Sequence, residues 1–193
     1  KTLEYRDVPN PDLKDDENLI SIRSVGICGS DMHAYLGHDD RRPAPLILGH
    51  EAAGDVIEGP LKGTRVTINP LVTCQKCKEC KSNRSNLCGK RQIISMQPRE
   101  GAFAEMVAIP SRNLVEVPDN ISFNDAALTE PLAVCWHAVR LGINALDTEI
   151  QTANTLVIGG GAIGLGSALS LMAKGVKKIK IAEPNAKRRA FLQ

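Results

Sequence analysis

The stretch TLVIGGGAIGLGSALSLMAKG, residues 155–175, decides the fold of the C-terminal part of this 193-residue chain. A short β-branched and apolar run at 156–158 predicts a strand, and apolar residues at helical spacing after the glycines predict a helix. Between them stand Gly159, Gly161 and Gly164 in the order Gly-x-Gly-x-x-Gly. Glycines at this spacing allow a tight turn and let the backbone approach a pyrophosphate at the helix N-terminus.

A second strand is predicted from KKIKIAEP at 177–184, and Glu183 lies near its end, about twenty residues after the glycines. A carboxylate there bonds the ribose hydroxyls and repels a 2′-phosphate, which favours NAD over NADP. The basic residues 187–189 could weaken that preference. The predicted cofactor-binding residues are Gly159, Gly161, Ala162, Ile163, Gly164, Glu183 and Arg188.

A second informative stretch is CQKCKECKSNRSNLC, residues 74–88, which places four cysteines in a polar segment. Cys-x-x-Cys spacing in a chain of cytosolic character indicates metal before disulfides. Four thiolates can close a tetrahedral shell around one structural zinc ion and so order a segment that has little core of its own. The predicted ligands are Cys74, Cys77, Cys80 and Cys88. The alternative is a zinc ribbon that grips nucleic acid, and the absence of nearby aromatic residues argues against it.

The overall charge excludes some partners. The chain has 24 basic and 22 acidic residues, a formal charge of +2, so neither nucleic acid nor an anionic membrane is indicated as a partner. No apolar run approaches the roughly 18 residues of a membrane span. No secretory signal is visible, although a chain that begins at Lys1 could lack a leader. We therefore expect a cytoplasmic protein.

Three further segments carry candidate ligands of a second, open metal site. Cys28 ends the strand-like run LISIRSVGIC and precedes a predicted turn at 29–31. His50 and Glu51 follow the apolar run LILG, and Glu130 precedes a proline that suits the first turn of a helix. Thiolate, imidazole and carboxylate are the ligands of zinc sites that keep one position free. Taken singly, each signal is weak, because a lone cysteine or histidine is usually part of the core.

Together the segments resemble a known family. GICGSDMH, GHEAAG, the four-cysteine stretch, EPLAVCWHA and the glycine-rich turn occur in the order found in zinc-dependent medium-chain alcohol and polyol dehydrogenases, sorbitol dehydrogenase-like branch. The resemblance implies an α/β fold with a β-rich part: a GroES-like β-barrel domain followed by the start of a Rossmann domain, a doubly wound parallel sheet. It also implies a homo-dimer or homo-tetramer and two zinc ions per subunit.

The resemblance assigns roles residue by residue. It makes Cys28, His50 and Glu130 ligands of a catalytic zinc ion, and Glu51 either a ligand or the holder of a zinc-bound water. Two anionic ligands already neutralise a dication, so we expect Glu51 to reach the metal through water or only transiently.

The resemblance also implies a proton path. Ser30 and His33 match a relay that runs by way of the cofactor ribose, and Asp31 matches the carboxylate that orients the zinc-binding histidine. The alternatives are that Asp31 serves only the turn and that His33 is a loop histidine with no proton to move.

For the whole chain we predict a GroES-like domain at 1–125 with strands near 18–27, 52–58, 65–68 and 102–109. Connecting helices at 126–153 and the start of an NAD-binding domain at 154–193 follow. The chain is expected to be a fragment that lacks a short start and a large C-terminal part, and to be inactive or poorly soluble alone.

The predicted function is zinc- and NAD-dependent oxidation of a secondary hydroxyl of a polyol or sugar-derived alcohol to a ketone. The alternatives are a threonine or simple-alcohol dehydrogenase of the same family, a zinc-free reductase of the same fold, and a non-catalytic zinc-braced binding module. The sixth cysteine, Cys135, is expected to pack as a small apolar residue.

Overall fold

The computed structural model describes residues 2–147 and 149–192. Their contacts form two compact units, one up to Glu130 and one from Pro131 onward. Within these residues, no helix combines the length and the apolar character that a membrane crossing needs. The boundaries expected near residues 125 and 153 stay predictions.

The first unit is built on a five-stranded antiparallel sheet in the order β6-β1-β2-β3-β7. Its strands are β1 (Glu17–Gly26), β2 (Glu51–Glu58), β3 (Arg65–Ile68), β6 (Met106–Pro110) and β7 (Leu114–Glu116). Two short strands, β4 (Leu71–Val72) and β5 (Gln92–Ile93), pair as a separate ribbon that holds the four-cysteine stretch between them. The helices are α1 (Gly29–Leu36), α2 (Lys78–Lys81) and α3 (Phe123–Ala127), with 3₁₀ turns at Ser85–Leu87 and Ser111–Asn113.

The sheet buries one apolar cluster, formed by Ile20, Ala52, Val56, Val66, Ile68, Ile94, Ala102, Val107 and Ile109. The first residues of β1 are buried on both faces, and two of them are polar. Asn18 is satisfied because it donates to the Ser111 hydroxyl at 2.9 Å and accepts from the Leu61 N–H at 2.8 Å. Glu17 is paired with Arg99. Buried polar groups of this kind require partners, and they fix the position of β1 among the neighbouring loops.

Two local predictions for this unit are wrong. The turn expected at 29–31 is the first turn of α1, because the Asp31 carboxylate accepts the Cys28 N–H at 2.9 Å and so satisfies a donor at the helix start. The strand expected at 102–109 begins only at Met106. The N–H groups of residues 101–103 instead donate to the carbonyls of residues 47–49, which takes this stretch out of the β6 ladder.

The second unit begins with most of a long helix and continues as a β-α-β unit. Its elements are α4 (Thr129–Asn144, which starts in the first unit), a 3₁₀ turn at Ile150–Thr152, β8 (Asn154–Ile158), α5 (Ala162–Ala173), β9 (Lys178–Ala182) and α6 (Ala186–Phe191). Strands β8 and β9 pair in parallel, as the predicted dinucleotide-binding topology requires. Cys135 on α4 is 1% exposed, and a Cβ added to Gly166 on α5 would lie 2.8 Å from its sulfur. The two helices therefore pack closely at this point.

The β8–β9 pair leaves much of its apolar surface uncovered. Leu156 and Ile158 are 59% and 84% exposed, and Met172 on α5 is 61% exposed. Parallel sheets normally have both faces covered. This β-α-β unit does not cover its own apolar faces.

Candidate metal centres and cofactor turn

The four predicted lobe cysteines converge. The sulfurs of Cys74, Cys77, Cys80 and Cys88 all lie within 4.8 Å of one another. Individual S···S distances are 3.5 Å for Cys77–Cys80, 3.5 Å for Cys74–Cys88 and 4.0 Å for Cys74–Cys80, and all four thiols are free. A disulfide has an S–S length of about 2.05 Å, so this is not a pair of disulfides. The arrangement is that of a closed four-sulfur metal site.

The electrostatics of this lobe also favour a cation. The backbone N–H groups of Lys76 and Cys77 lower the pKa of the Cys74 thiol to about 6. At Cys77 the Cys80 N–H favours the thiolate, but burial and the neighbouring thiols outweigh it and raise the pKa to about 12. One thiolate thus makes the next harder to form. A bound dication would remove that conflict, because coordinating thiols lose their protons.

The second predicted site is also assembled. Side-chain ligand atoms of Cys28, His50 and Glu51 lie within 4.8 Å of one another, with His50 and Glu51 buried. Cys28 stands between the end of β1 and the start of α1, and Glu51 opens β2. Because β1 and β2 are antiparallel and Gly26 pairs with Glu51, residues far apart in sequence meet at one end of the sheet.

His50 and Asp31 form the core of this second site. The Nδ1 atom of His50 is buried and has no hydrogen-bond partner among the described residues, and Asp31 Oδ1 lies 3.5 Å from it. Asp31 also accepts the N–H groups of Cys28, at 2.9 Å, and of Gly49, at 3.2 Å. Burial opposes ionisation of Asp31, but the interaction with His50 and these N–H groups outweigh it and leave its pKa below the ordinary value. One carboxylate therefore holds both ligand-bearing segments.

The donor set fits a zinc ion. Metal-binding histidines use one ring nitrogen for the metal and offer the other to a carboxylate, and His50 presents Nδ1 toward Asp31 at 3.5 Å, which leaves Nε2 for a metal. A thiolate and a carboxylate beside it supply the negative charge that a dication requires. Cys28, His50 and Glu51 are the residues that would hold the ion.

Glu130 lies near this group but outside its 4.8 Å limit. It occupies the first turn of α4. Burial raises the pKa of Glu130, the charge of His50 lowers it, and the charge of Glu51 raises it further, so that the net shift is upward. A carboxyl whose ionisation is opposed in this way gains from a nearby cation. The arrangement leaves Glu130 as a candidate ligand and places Glu51 closer to the cysteine and histidine than expected.

The proposed relay residues lie on α1. The Ser30 hydroxyl is 3.5 Å from Nε2 of His50, so it stands beside the ligand group. His33 is one turn further along the helix and exposed, with its ring centroid 6.4 Å from that of His38. Residues three apart share a helix face. The helix therefore joins the ligand group to the surface of the first unit.

Two glycines that the sequence reasoning did not single out shape this site. A Cβ on Gly26 would lie 2.3 Å from Oε2 of Glu51, and a Cβ on Gly49 would lie 2.5 Å from the Phe103 ring. Gly49 also has φ of +91°, in the left-handed region that favours glycine. A glycine inside or beside a strand is the signal that could have revealed them, since it often marks a close approach.

The predicted cofactor turn lies between β8 and α5, with Gly161 immediately before the helix. Gly159 has φ of +98°, and a Cβ on Gly164 would lie 1.8 Å from the Gly159 carbonyl oxygen, so both positions require glycine. The Glu183 carboxylate accepts the Gly160 N–H and the Asn185 N–H, each at 2.8 Å. Arg188 has an Nη1 atom 3.8 Å from Glu183, and Ala162 and Ile163 begin α5. The residues predicted to bind the cofactor thus surround one turn.

Comparison with known proteins identifies the family. Residues 14–119, more than half of the chain, match the alcohol dehydrogenase GroES-like domain, and the chain belongs to that family. It is 38% identical over 190 residues to L-galactonate-5-dehydrogenase of Escherichia coli K12, and this match covers 95% of the chain and 53% of the relative. Sorbitol dehydrogenase of Bacillus subtilis 168 is 34% identical, with 95% and 53% covered. The chain spans about half the length of these relatives.

Solved structures agree with this assignment. Galactitol-1-phosphate dehydrogenase of Escherichia coli superposes with a TM-score of 0.87 at 28% identity, over 96% of this chain and 54% of that one. A protein of Sinorhizobium meliloti 1021 solved with bound NADP gives a TM-score of 0.85 at 31% identity, with 96% and 54% covered. The sequence-based recognition of the family and of the fold class is confirmed.

Proposed function

We propose that the protein carrying this chain is a zinc- and NAD-dependent dehydrogenase that oxidises a secondary hydroxyl of a polyol or sugar-derived alcohol to a ketone. The observation that supports it most strongly is the group formed by Cys28, His50 and Glu51, with Asp31 holding both segments. L-galactonate-5-dehydrogenase and sorbitol dehydrogenase carry names of this substrate class. The resemblance implies a dimer or tetramer and a cytoplasmic location, which remain part of the proposal.

The chain's own residues divide the work at the metal. When bound, zinc supplies a Lewis acid that makes a hydroxyl near it easier to deprotonate. Cys28 and one carboxylate would neutralise the dication, and Asp31 would orient His50. Glu51 lies within the ligand group and could serve as that carboxylate, while Glu130 interacts electrostatically with His50 and Glu51 and is the second candidate. A site that stays near neutral charge favours loss of the substrate proton more than an anionic site does.

The released proton needs a path out of a closed site. Ser30, 3.5 Å from His50, would accept it and pass it, by way of the cofactor ribose, to His33 on the exposed side of α1 and so to solvent. A histidine suits this step because its ring can both accept and release a proton. A bound nicotinamide would supply the acceptor for the hydride that the hydroxyl-bearing carbon of the substrate loses when it becomes a ketone.

The cofactor proposal is NAD. The Glu183 side chain is 3% exposed and lies against the glycine turn, where its carboxylate would meet the ribose hydroxyls and repel a 2′-phosphate. Arg188 and Arg189 contact Glu183 through its carboxylate and its carbonyl oxygen, respectively. These two arginines therefore already interact with Glu183, which makes them less available to a 2′-phosphate.

A substrate panel tests the proposed function. The full-length protein would be offered sorbitol, xylitol, galactitol phosphate, threonine and ethanol, each with NAD or NADP, and reduced cofactor would be followed by absorbance. The expected result is fastest turnover of a polyol with NAD, at least a hundredfold loss in Cys28→Ser, and near-normal turnover in the control Cys135→Ser. Ethanol or threonine as the best substrate would replace the polyol assignment, and full activity in Cys28→Ser would overturn the metal-based proposal.

A further inference from the structure

Residues 94–103 run from the ribbon of the four-cysteine lobe to the segment that ends in His50. The N–H groups of residues 101–103 donate to the carbonyls of residues 47–49 at 2.8–2.9 Å. Glu100 extends this pairing, because its Oε2 accepts the Ile47 N–H at 2.6 Å. Together with Asp31, which accepts the Gly49 N–H, residues 100–103 therefore hold residues 47–49 and hence His50 in position.

The two segments are also in direct contact. A Cβ on Gly101 would lie 2.2 Å from the Leu48 carbonyl oxygen, and one on Gly49 would lie 2.5 Å from the Phe103 ring. Real side-chain atoms do not approach so closely, and well-packed interiors transmit small displacements. A shift of residues 100–103 would thus be passed to the residue next to His50.

Arg99 anchors the start of this contact. Its Nη2 donates to Glu17 Oε1 at 2.8 Å, its Nε donates to Gln92 Oε1 at 2.8 Å, and its backbone pairs with Met96 in both directions. Glu17 opens β1 and Gln92 lies in β5, so one guanidinium joins the main sheet to the lobe's ribbon. The side chains of Arg99 and Glu17 are 13% and 3% exposed, which keeps the pair from being screened by solvent.

We propose that Arg99 is a positioning residue for the candidate catalytic metal site. It fixes residues 100–103 relative to β1 and to the lobe, and these residues fix the segment that carries His50. The inference rests on the proposed function, since it assumes that Cys28 and His50 hold a metal.

The test replaces Arg99 by lysine. Lysine keeps a positive charge for the buried Glu17 but lacks the planar fork that reaches Glu17 and Gln92 together. The apo-protein would be loaded with cadmium, whose NMR resonance differs between a four-sulfur shell and a mixed sulfur, nitrogen and oxygen shell. We expect Arg99→Lys to shift or broaden the mixed-shell resonance and to weaken cadmium binding there about tenfold. Loss of stability alone would not move that resonance in the folded protein.

Two further variants keep the test decisive. Arg112→Lys is the matched control, because Arg112 bonds to Asp16 and to the Thr73 carbonyl but forms no hydrogen bond or ion pair with residues 100–103, and it should leave the mixed-shell resonance unchanged. The pair Glu17→Gln and Arg99→Gln removes both buried charges together and should reproduce the shift. An unchanged mixed-shell resonance in Arg99→Lys and in the pair would overturn the inference alone. A wild-type protein with only a four-sulfur resonance would overturn the proposed function and the inference with it.

Discussion

At the candidate catalytic site, the side chains that fix the ligands matter as much as the ligands. Asp31 accepts backbone N–H groups on both ligand segments, and Gly26 leaves the space that the Glu51 carboxylate occupies. Asp31 acts through hydrogen bonds, whereas Gly26 acts because it has no side chain. Both act on the position of donor atoms, and each can be changed without removing a ligand.

Gly26→Ala is expected to weaken metal binding at the Cys28–His50–Glu51 group about tenfold, because its methyl group would lie 2.3 Å from Glu51 Oε2 and displace the carboxylate. Gly29→Ala is the matched control, since a Cβ there meets no atom within 4 Å. Chelator competition on the purified proteins measures the affinity. Equal affinities in the two variants would show that Glu51 needs no such space.

The lowered pKa of Glu183 leads us to predict that the stability of the fold depends on pH. The N–H groups of Asn185 and Gly160, with nearby arginines, lower the pKa of Glu183 from its ordinary 4.5. A carboxyl whose pKa is lower in the folded state stabilises that state above its unfolded pKa, and this contribution is lost as the pH falls through the folded pKa. In urea titrations, Glu183→Gln should therefore be less stable than wild type at pH 7, and the difference should shrink in strong acid.

The exposed Glu149, whose carboxylate makes no hydrogen bond or ion pair in the described part of the chain, provides the control substitution Glu149→Gln. Its stability should follow that of the wild type at both pH values. A Glu183→Gln deficit that stays constant from neutral pH to strong acid would mean that the charge of Glu183 is not the cause.

Among the elements, the four-cysteine lobe is the one whose own side-chain packing contributes least to its order. Cys88 is buried, but Cys74, Cys77 and Cys80 are partly exposed, and none of the four residues of helix α2, which contains Cys80, is buried. Gln75 and Asn83 adopt positive φ angles of 58° and 57°, which are uncommon away from glycine. A segment with so little buried apolar surface would need a bound metal ion to stay ordered.

Cys77→Ser is therefore expected to remove one metal equivalent and to raise the hydrogen-exchange rates of lobe amides at least tenfold, because amides that lose a fixed fold exchange freely. The amides of β2 should remain protected. Lys81→Gln removes a charge in the same lobe but replaces no cysteine. It should leave the metal content and the hydrogen-exchange rates unchanged. Protected lobe amides in metal-free Cys77→Ser would show that the lobe orders itself.

On the scale of the whole molecule, local sequence patterns correctly predicted the elements whose formation depends on neighbouring residues. The strands near 52–58 and 65–68 and the β-α-β order around the glycine turn are observed as β2, β3 and β8-α5-β9, since each follows from alternation or from glycine spacing. The helix expected from Pro131 is α4, which starts two residues earlier. The four lobe cysteines converge as their spacing indicated.

Tertiary contacts were harder to predict from the sequence. The pairing of residues 101–103 with 47–49 depends on a glycine and on backbone groups far apart in sequence. No periodic pattern of apolar residues in the sequence predicts it. Strand β7 and the ribbon of β4 with β5 have two or three residues each, too short for an alternation signal. The meeting of Cys28 with His50 was suggested by family resemblance, because single cysteines and histidines in apolar runs carry no such information.

A crystal structure of the zinc-loaded protein, with anomalous scattering recorded at the zinc edge, tests the central claim most directly. The account predicts two zinc peaks per chain, one among the four lobe sulfurs and one bonded by both the Cys28 sulfur and a His50 nitrogen. A single peak in the lobe, with Cys28 and His50 free of metal at full zinc loading, would contradict it.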